Sequence, residues 1–208
     1  MKRLLDAGGR VLAFGAHPDD LEVGAGGLLA RLVREGCEVT MCVVAVPNRA
    51  DERIPEALAA AKILGARPFI LFDDKPARVE DIPMYELVRR MDQVVGDTKP
   101  DLVITHSAHD LHWDHGLVNR ATVSALRRTP CDLLAFLSSP EMNAQHRAIG
   151  QCFADITSTL ELKIAAIQEH KSQLSRLDIE SSKDLARAMG RISGYGYAEA
   201  FEALRVRI

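Results

Sequence analysis

The sequence lacks several signals that would assign a function class at once. Its four cysteines, at 37, 42, 131 and 152, include no pair at CxxC spacing. A cysteine-ligated metal site or a redox dithiol is therefore not expected, and buried free thiols of a reduced compartment are. No segment reaches the about 18 consecutive apolar residues that a membrane-spanning helix needs. The basic start, MKRLL, runs into Asp6, Gly8, Gly9 and Arg10, which break up the apolar core of a secretory signal. With nothing to send the chain elsewhere, a cytoplasmic location is expected. An excess of one charge is missing too. Lys and Arg number 26 and Asp and Glu 29, a net charge of −3 with the signs interspersed. That balance offers no footprint for nucleic acid or an anionic membrane. A GxGxxG fingerprint is also absent, because Gly15, Gly24, Gly26 and Gly27 do not have its spacing. Two Asp residues stand where a pyrophosphate would need bare backbone N–H groups, which argues against a dinucleotide site.

What is present is an ordinary globular mix. The chain has 208 residues, of which 47% are hydrophobic and 26% charged. That suits a single domain, residues 1–208, with a full core. Apolar runs at 10–16, 38–46, 68–72 and 101–105 read as strands, and the patterns at 21–36, 51–65, 83–97 and 115–128 as helices. Gly65 is placed to end the second helix. The final third is less regular, with a strand expected at 133–137 and helices at 157–174 and 182–192. Strands alternating with helices, and strands apolar throughout, predict an α/β fold: a Rossmann-like three-layer α/β/α arrangement around a mostly parallel sheet. Ligands of such sheets lie beyond the carboxyl ends of the strands. The residues following Ala16, Val46, Phe72 and Thr105 are thus expected around one site.

Two of those segments carry metal-ligand chemistry. The first is AHPDDLE at 16–22, the second HSAHDLHWDH at 106–115, and together they hold five of the seven histidines. Alone, HPDD is explicable as a helix-capping turn and the second segment as a polar loop. Both at strand ends, they point to a His/carboxylate cluster with nitrogen and oxygen donors, which suits zinc with a position left for water. Two His and one carboxylate also hold iron. A further Asp beside the ligands favours hydrolysis, since it supplies a base for water.

At these residues the sequence resembles the PIG-L (LmbE-like) zinc-dependent N-deacetylases, over nearly the whole chain. AHPDDLE at 16–22 is similar to the family's AHPDDxE, and HWDH at 112–115 to its HPDH or HxDH. Arg53 to Glu56 with AAAKILG at 59–65 is similar to its RxxE…AAxxLG helix, and DIT at 155–157, KIAAIQEHKSQ at 163–173 and YAEAF at 197–201 to its C-terminal segments.

The resemblance implies that His17, Asp20 and His115 bind Zn²⁺, with Fe²⁺ or another divalent ion as alternatives. Asp19 would be the general base, and a protonated His112, oriented by Asp114, would stabilise the oxyanion. Arg53 would contact the substrate, an N-acetylglucosaminyl-type sugar or sugar conjugate. Trp113 stands where Pro is usual and is expected to stack on the sugar or reshape the pocket. The acidic residue after the third strand is assigned to Asp74 over Asp73, and the segment at 137–139 lacks the Pro expected before its paired serines. Glu22 is expected to order the loop. His106 and His109 are read as loop-ordering residues, His146 as a surface residue, and His170 as facing the site or packing. Tyr195 and Tyr197 would gate the pocket or pack at its rim. An amidase acting on a larger conjugate, such as a thiol–sugar adduct, and a non-catalytic metal- or carbohydrate-binding protein are the alternatives. A homo-oligomer is left open.

Overall fold

A computed structural model describes residues 5–73, 77–136 and 150–207. Five strands form the parallel part of one sheet: β1 (Arg10–Gly15), β2 (Glu38–Ala45), β3 (Arg67–Phe72), β4 (Leu102–His106) and β5 (Asp132–Phe136). Helices α1 (Asp20–Arg34), α2 (Ala50–Leu64), α3 (Met84–Thr98) and α4 (Trp113–Ala125) connect them. The sheet order is β3-β2-β1-β4-β5-β7-β6. β1 therefore lies between β2 and β4, and the strand order reverses at the β1/β4 boundary. In an open parallel sheet that boundary opens a crevice at the carboxyl edge. The two histidine-rich segments follow these two strands.

Alternate residues of each strand supply opposite faces, as the pleat requires. Val11 and Ala13 join Val39, Met41, Leu102 and Ile104 in a core with Leu28, Leu29 and Leu32 of α1 and Ala60, Ala61 and Leu64 of α2. Leu12 and Phe14 join Cys42, Val44 and Val103 in the opposite core with Leu87, Met91 and Val95 of α3 and Val118 and Ala121 of α4. Each fully buried large side chain stabilises such a layer by about 1.5–3 kcal/mol. The three-layer architecture and the parallel β1–β5 segment are as expected.

Helix α1 packs unusually close to the sheet. A Cβ on Gly24 would overlap the Phe136 ring, and one on Gly27 would overlap Ile156. Glycine inside a helix costs about 1 kcal/mol relative to Ala. Here that cost permits the approach that holds the α1 N-terminus at the strand ends.

The last third departs from expectation. The helix expected at 157–174 is shorter: α5 covers Leu160–Glu169, and a 3-10 turn follows at Lys171–Gln173. The break falls at His170, whose backbone leaves the helical region (φ −76°, ψ 56°). His170 is fully buried against Glu22 of α1, and Ser172 is held by Glu56 of α2 through its N–H (2.8 Å) and hydroxyl (2.6 Å). These tertiary contacts end the helix. Helix α6 (Ile179–Ser193) starts three residues earlier than expected, because Asp178 caps it by accepting Ser181 N–H. Two strands were not anticipated: β6 (Cys152–Asp155) and β7 (Ala198–Arg205). β7 runs antiparallel between β5 and β6. Its sequence, AEAFEALR, is made largely of helix-favouring residues, and pairing on both sides overrides that preference.

Candidate functional site

The carboxyl ends of β1 and β4 bring the two motifs together. After β1 the chain turns sharply through His17 and Pro18 into α1. Asp19 sits at the turn with φ 95°, a left-handed conformation that Asp tolerates better than most side chains. The turn is locked from within, since Asp20 Oδ2 accepts His17 N–H at 2.7 Å. After β4, residues 107–112 fold back so that His112 caps α4, its Nδ1 accepting the Asp114 N–H at 3.2 Å. His106, at the end of β4, ties the two strands by accepting Ala16 N–H on Nε2 (2.9 Å).

Asp20 is the hub. One carboxylate oxygen, Oδ2, lies 3.7 Å from His17 Nδ1 and 3.2 Å from His106 Nε2, and Oδ1 lies 3.3 Å from His115 Nε2. The outer nitrogens of His17 and His115 are taken by other acids. Asp114 Oδ2 is 2.9 Å from His17 Nε2, and Asp110 Oδ2 is 3.0 Å from His115 Nδ1. His115 is stacked between His106 (3.9 Å between ring centroids) and His112 (4.5 Å). The ligand atoms of His17, His112 and His115 all lie within 4.8 Å of one another, as do those of Asp20, His106 and His115.

The charges follow from burial and pairing. Burial alone would raise Asp20, but the His115 and His106 imidazoles outweigh it and hold the carboxyl well below its usual range. Burial alone would lower His115, but Asp20 and Asp110 raise it to about 10. In the metal-free chain His115 thus carries a proton between two carboxylates. Asp19 is pushed up to about 7, first by burial and then by the charge of Asp20, with His170 and Arg53 opposing. Burial also lowers His112, helped by His115 and His17.

This arrangement fits a divalent cation. Two imidazole nitrogens face one carboxylate, and each ring is oriented by an acid on its other nitrogen, the usual support of a metal-binding histidine. A cation would take the place of the His115 proton among several carboxylates. His17, Asp20 and His115 could hold it, and His106 and His112 offer further ring nitrogens in the same cluster.

Other expected residues are distributed as follows. The Asp114 carboxylate orients His17, whereas the sequence reading had it orient His112; it contacts His112 through its backbone N–H. The reason is positional, because Asp114 lies in the first turn of α4, which turns its side chain toward the β1 loop. A ring nitrogen that accepts a hydrogen bond leaves the proton on the other, so this geometry makes His112 Nε2 a neutral donor, where a protonated ring was expected. Arg53, in the first turn of α2, is buried; its Nη2 donates to Pro18 O (3.1 Å) and lies 3.6 Å from Asp19 Oδ2. It faces the site and does not pair with Glu56. Trp113 is 65% exposed beside His112 and is not buried under α4. Glu22 is buried 3.4 Å from His170 Nε2. His109 is exposed, its N–H held by Ser107 Oγ (3.0 Å). Tyr197 packs with α5 and α6, and Tyr195 is 42% exposed. Asp73 is exposed. Asp74, residues 137–139 and His146 lie outside the described residues. Sequence reasoning did not assign His106 or Asp110 to the cluster, although both stand in the motif-bearing segment. No helix among the described residues is long and apolar enough to cross a membrane.

The PIG-L family, described as GlcNAc-PI de-N-acetylase, matches residues 12–126. The chain belongs to the PIG-L family. The matched region carries both motif segments and Arg53. The chain is similar to several curated proteins. An uncharacterized deacetylase of Escherichia coli, YaiS, is 27% identical over 172 residues, which cover 78% of this chain and 90% of the relative. The diacetylchitobiose deacetylase of Thermococcus kodakarensis is 25% identical, covering 91% and 81%. The 4-oxalmesaconate hydratase of Pseudomonas putida is 28% identical, covering 94% and 80%. Among solved structures, the conserved protein TT1542 of Thermus thermophilus superposes with a TM-score of 0.76 at 24% identity, over 95% of each chain. PIG-L relatives thus include both deacetylases and a hydratase, so the reaction must be argued from the site.

Proposed function

We propose that this PIG-L protein hydrolyses the amide of an N-acetylated sugar of the N-acetylglucosaminyl type, using a divalent ion, in the first instance Zn²⁺, held by His17, Asp20 and His115. The observation that carries the reading is the set of two imidazoles facing the Asp20 carboxylate with a second carboxyl, Asp19, next to it in the chain and 3.6 Å from Arg53 Nη2, a group that can accept and return a proton. The bound ion would supply Lewis acidity toward the amide carbonyl and make water easier to deprotonate.

The chain's own groups divide the remaining work. Asp19 takes a proton from the attacking water and returns it to the amide nitrogen, because an amine leaves poorly unless protonated. His112 donates from Nε2 to the carbonyl oxygen as it gains charge. Asp114 keeps His17 in one tautomer. Arg53 fixes the Asp19 loop through Pro18 O and offers further N–H donors to sugar hydroxyls. Trp113 presents an exposed flat face suited to a pyranose ring. Asp74 is kept as a substrate contact. A small-molecule substrate, no nucleic acid and a cytoplasmic setting complete the proposal.

The hydratase relative gives a second reading, addition of water across a C=C bond, which would use the same base and cation. The two separate in one experiment. Protein loaded with Zn²⁺ or Fe²⁺ is given an N-acetylglucosamine-type sugar, an N-acetyl amine without a ring, and an unsaturated dicarboxylate. Acetate and primary amine released faster from the sugar support the proposal. Equal rates on both amides remove the sugar. Loss of alkene absorbance without acetate release replaces deacetylation by hydration.

A further inference from the structure

The HSAHDLHWDH segment contains one acid, Asp110, for which neither the motif nor the proposed reaction has a use. Its side chain is 4% exposed. One carboxylate oxygen, Oδ1, accepts His112 N–H at 2.9 Å; the other, Oδ2, lies 3.0 Å from His115 Nδ1. One side chain thus holds the backbone of the residue that caps α4 and the ring of the residue three positions later. We propose that Asp110 is a positioning residue for the cation site: it fixes the His115 ring with its proton on Nδ1, so that Nε2 faces Asp20, and ties that orientation to the backbone of the loop at 107–112.

Geometry requires the carboxylate in particular. Both partners present N–H groups, so both side-chain oxygens must accept. An amide has one acceptor and one donor. In Asp110→Asn, either the His115 Nδ1–H or the His112 N–H meets an NH₂ group. The ring would be free to reorient, and a cation would then bind a histidine it must first align. Asp114 plays the matching part for His17, from the opposite nitrogen. The two histidines proposed as ligands are therefore each gripped by an acid from the same ten-residue segment. Acids in this position behind metal-bound histidines are commonly worth 10–100-fold in metal affinity.

The inference rests on the proposed cation site, and its test reads metal affinity and ring protonation, not turnover. Metal-stripped wild-type protein, Asp110→Asn and Asp114→Asn are titrated with Zn²⁺ against a chromophoric chelator, with circular dichroism to verify folding. Asp110→Asn is expected to bind ~10–100-fold more weakly. Equal affinity in a folded Asp110→Asn overturns the assignment. Absence of Zn²⁺ binding by the wild type overturns the cation site and this inference with it. Because the variant can fail to fold, wild-type protein labelled with ¹⁵N-histidine is examined in parallel by long-range ¹H–¹⁵N correlation. A Zn²⁺-loaded His115 with its proton on Nδ1 is expected, and a deprotonated Nδ1 refutes the role whatever the variant does.

Discussion

Asp19→Asn should inactivate the protein and at the same time stabilise its metal-free form. Moving a carboxyl from 3.8 to about 7 costs the folded state about 4 kcal/mol once the pH exceeds both values, at ~1.36 kcal/mol per pH unit. The direction follows from which state binds the proton. Below the ordinary value of 3.8 the acid is protonated in folded and unfolded chains alike, and there is no cost. Between 3.8 and about 7 the unfolded chain releases the proton while the folded chain keeps it, so stability falls with rising pH; above about 7 the loss is constant. An Asn amide does not titrate and escapes the loss. It also accepts the left-handed backbone at this position, and Arg53 keeps Pro18 O. Relaxation around a side chain that is 16% exposed reduces the gain to about 2 kcal/mol, or ~4–8 °C for a domain of this size. Thermal unfolding of metal-stripped protein at pH 8 and pH 4 measures it. The variant should melt higher at pH 8 and nearly level with wild type at pH 4. Reconstituted with metal, it should lose at least ~10²-fold in kcat. A variant that melts no higher at pH 8, or gains equally at both pH values, refutes the account of Asp19 as an acid strained by burial and by Asp20.

Chelation should abolish acetate release and Zn²⁺ or Fe²⁺ restore it, checked by metal analysis of the same samples; full activity in verified metal-free protein would remove the cation from the reaction. Asp20→Ala and His115→Ala should lose metal affinity together with activity, whereas Asp19→Asn keeps it, as chelator competition would show. Arg53→Ala should lower kcat/KM for the sugar by ~1–3 kcal/mol, the cost of an unpaired polar contact, with metal content unchanged; loss of metal instead would assign Arg53 to the cluster's structure. Gly24→Ala should destabilise by ~1–3 kcal/mol because its Cβ meets the Phe136 ring. Gly96→Ala in α3, with nothing within 4 Å, should stabilise by ~0.5–1 kcal/mol. Denaturant melts of both separate the close α1 packing from the general cost of a helical glycine.

The parallel half of the sheet was legible because its central strands are buried on both faces and read as unbroken apolar runs. β1 and β4 need no partner to be recognised, and motifs that follow them directly were bound to meet at one edge. The antiparallel edge was not legible for the opposite reason. AEAFEALR becomes β7 only because β5 and β6 flank it, and no local preference of Ala, Glu and Leu announces that. The end of α5 is similar. KIAAIQEHKSQ contains neither Gly nor Pro, and the break at His170 comes from Glu22 and Glu56 on other helices.

The site divides along the same line. The residue types at the edge were readable, since His and Asp beyond a buried strand have few structural uses. Which acid serves which ring was not. Asp114 stands next to His115 and two residues from His112, yet its carboxylate grips His17, 97 positions away. Asp110 reaches His115 across one turn of loop and cap. Spacing along the chain ranks neighbours, but a ring nitrogen is selected by the acid that faces it in space. The strand order decides that, because it sets β1 beside β4 and so brings His112 against His17 in the turn after β1. A sequence with the same motifs on strands that were not adjacent would keep every donor and lose the carboxylate–imidazole pairs that aim them.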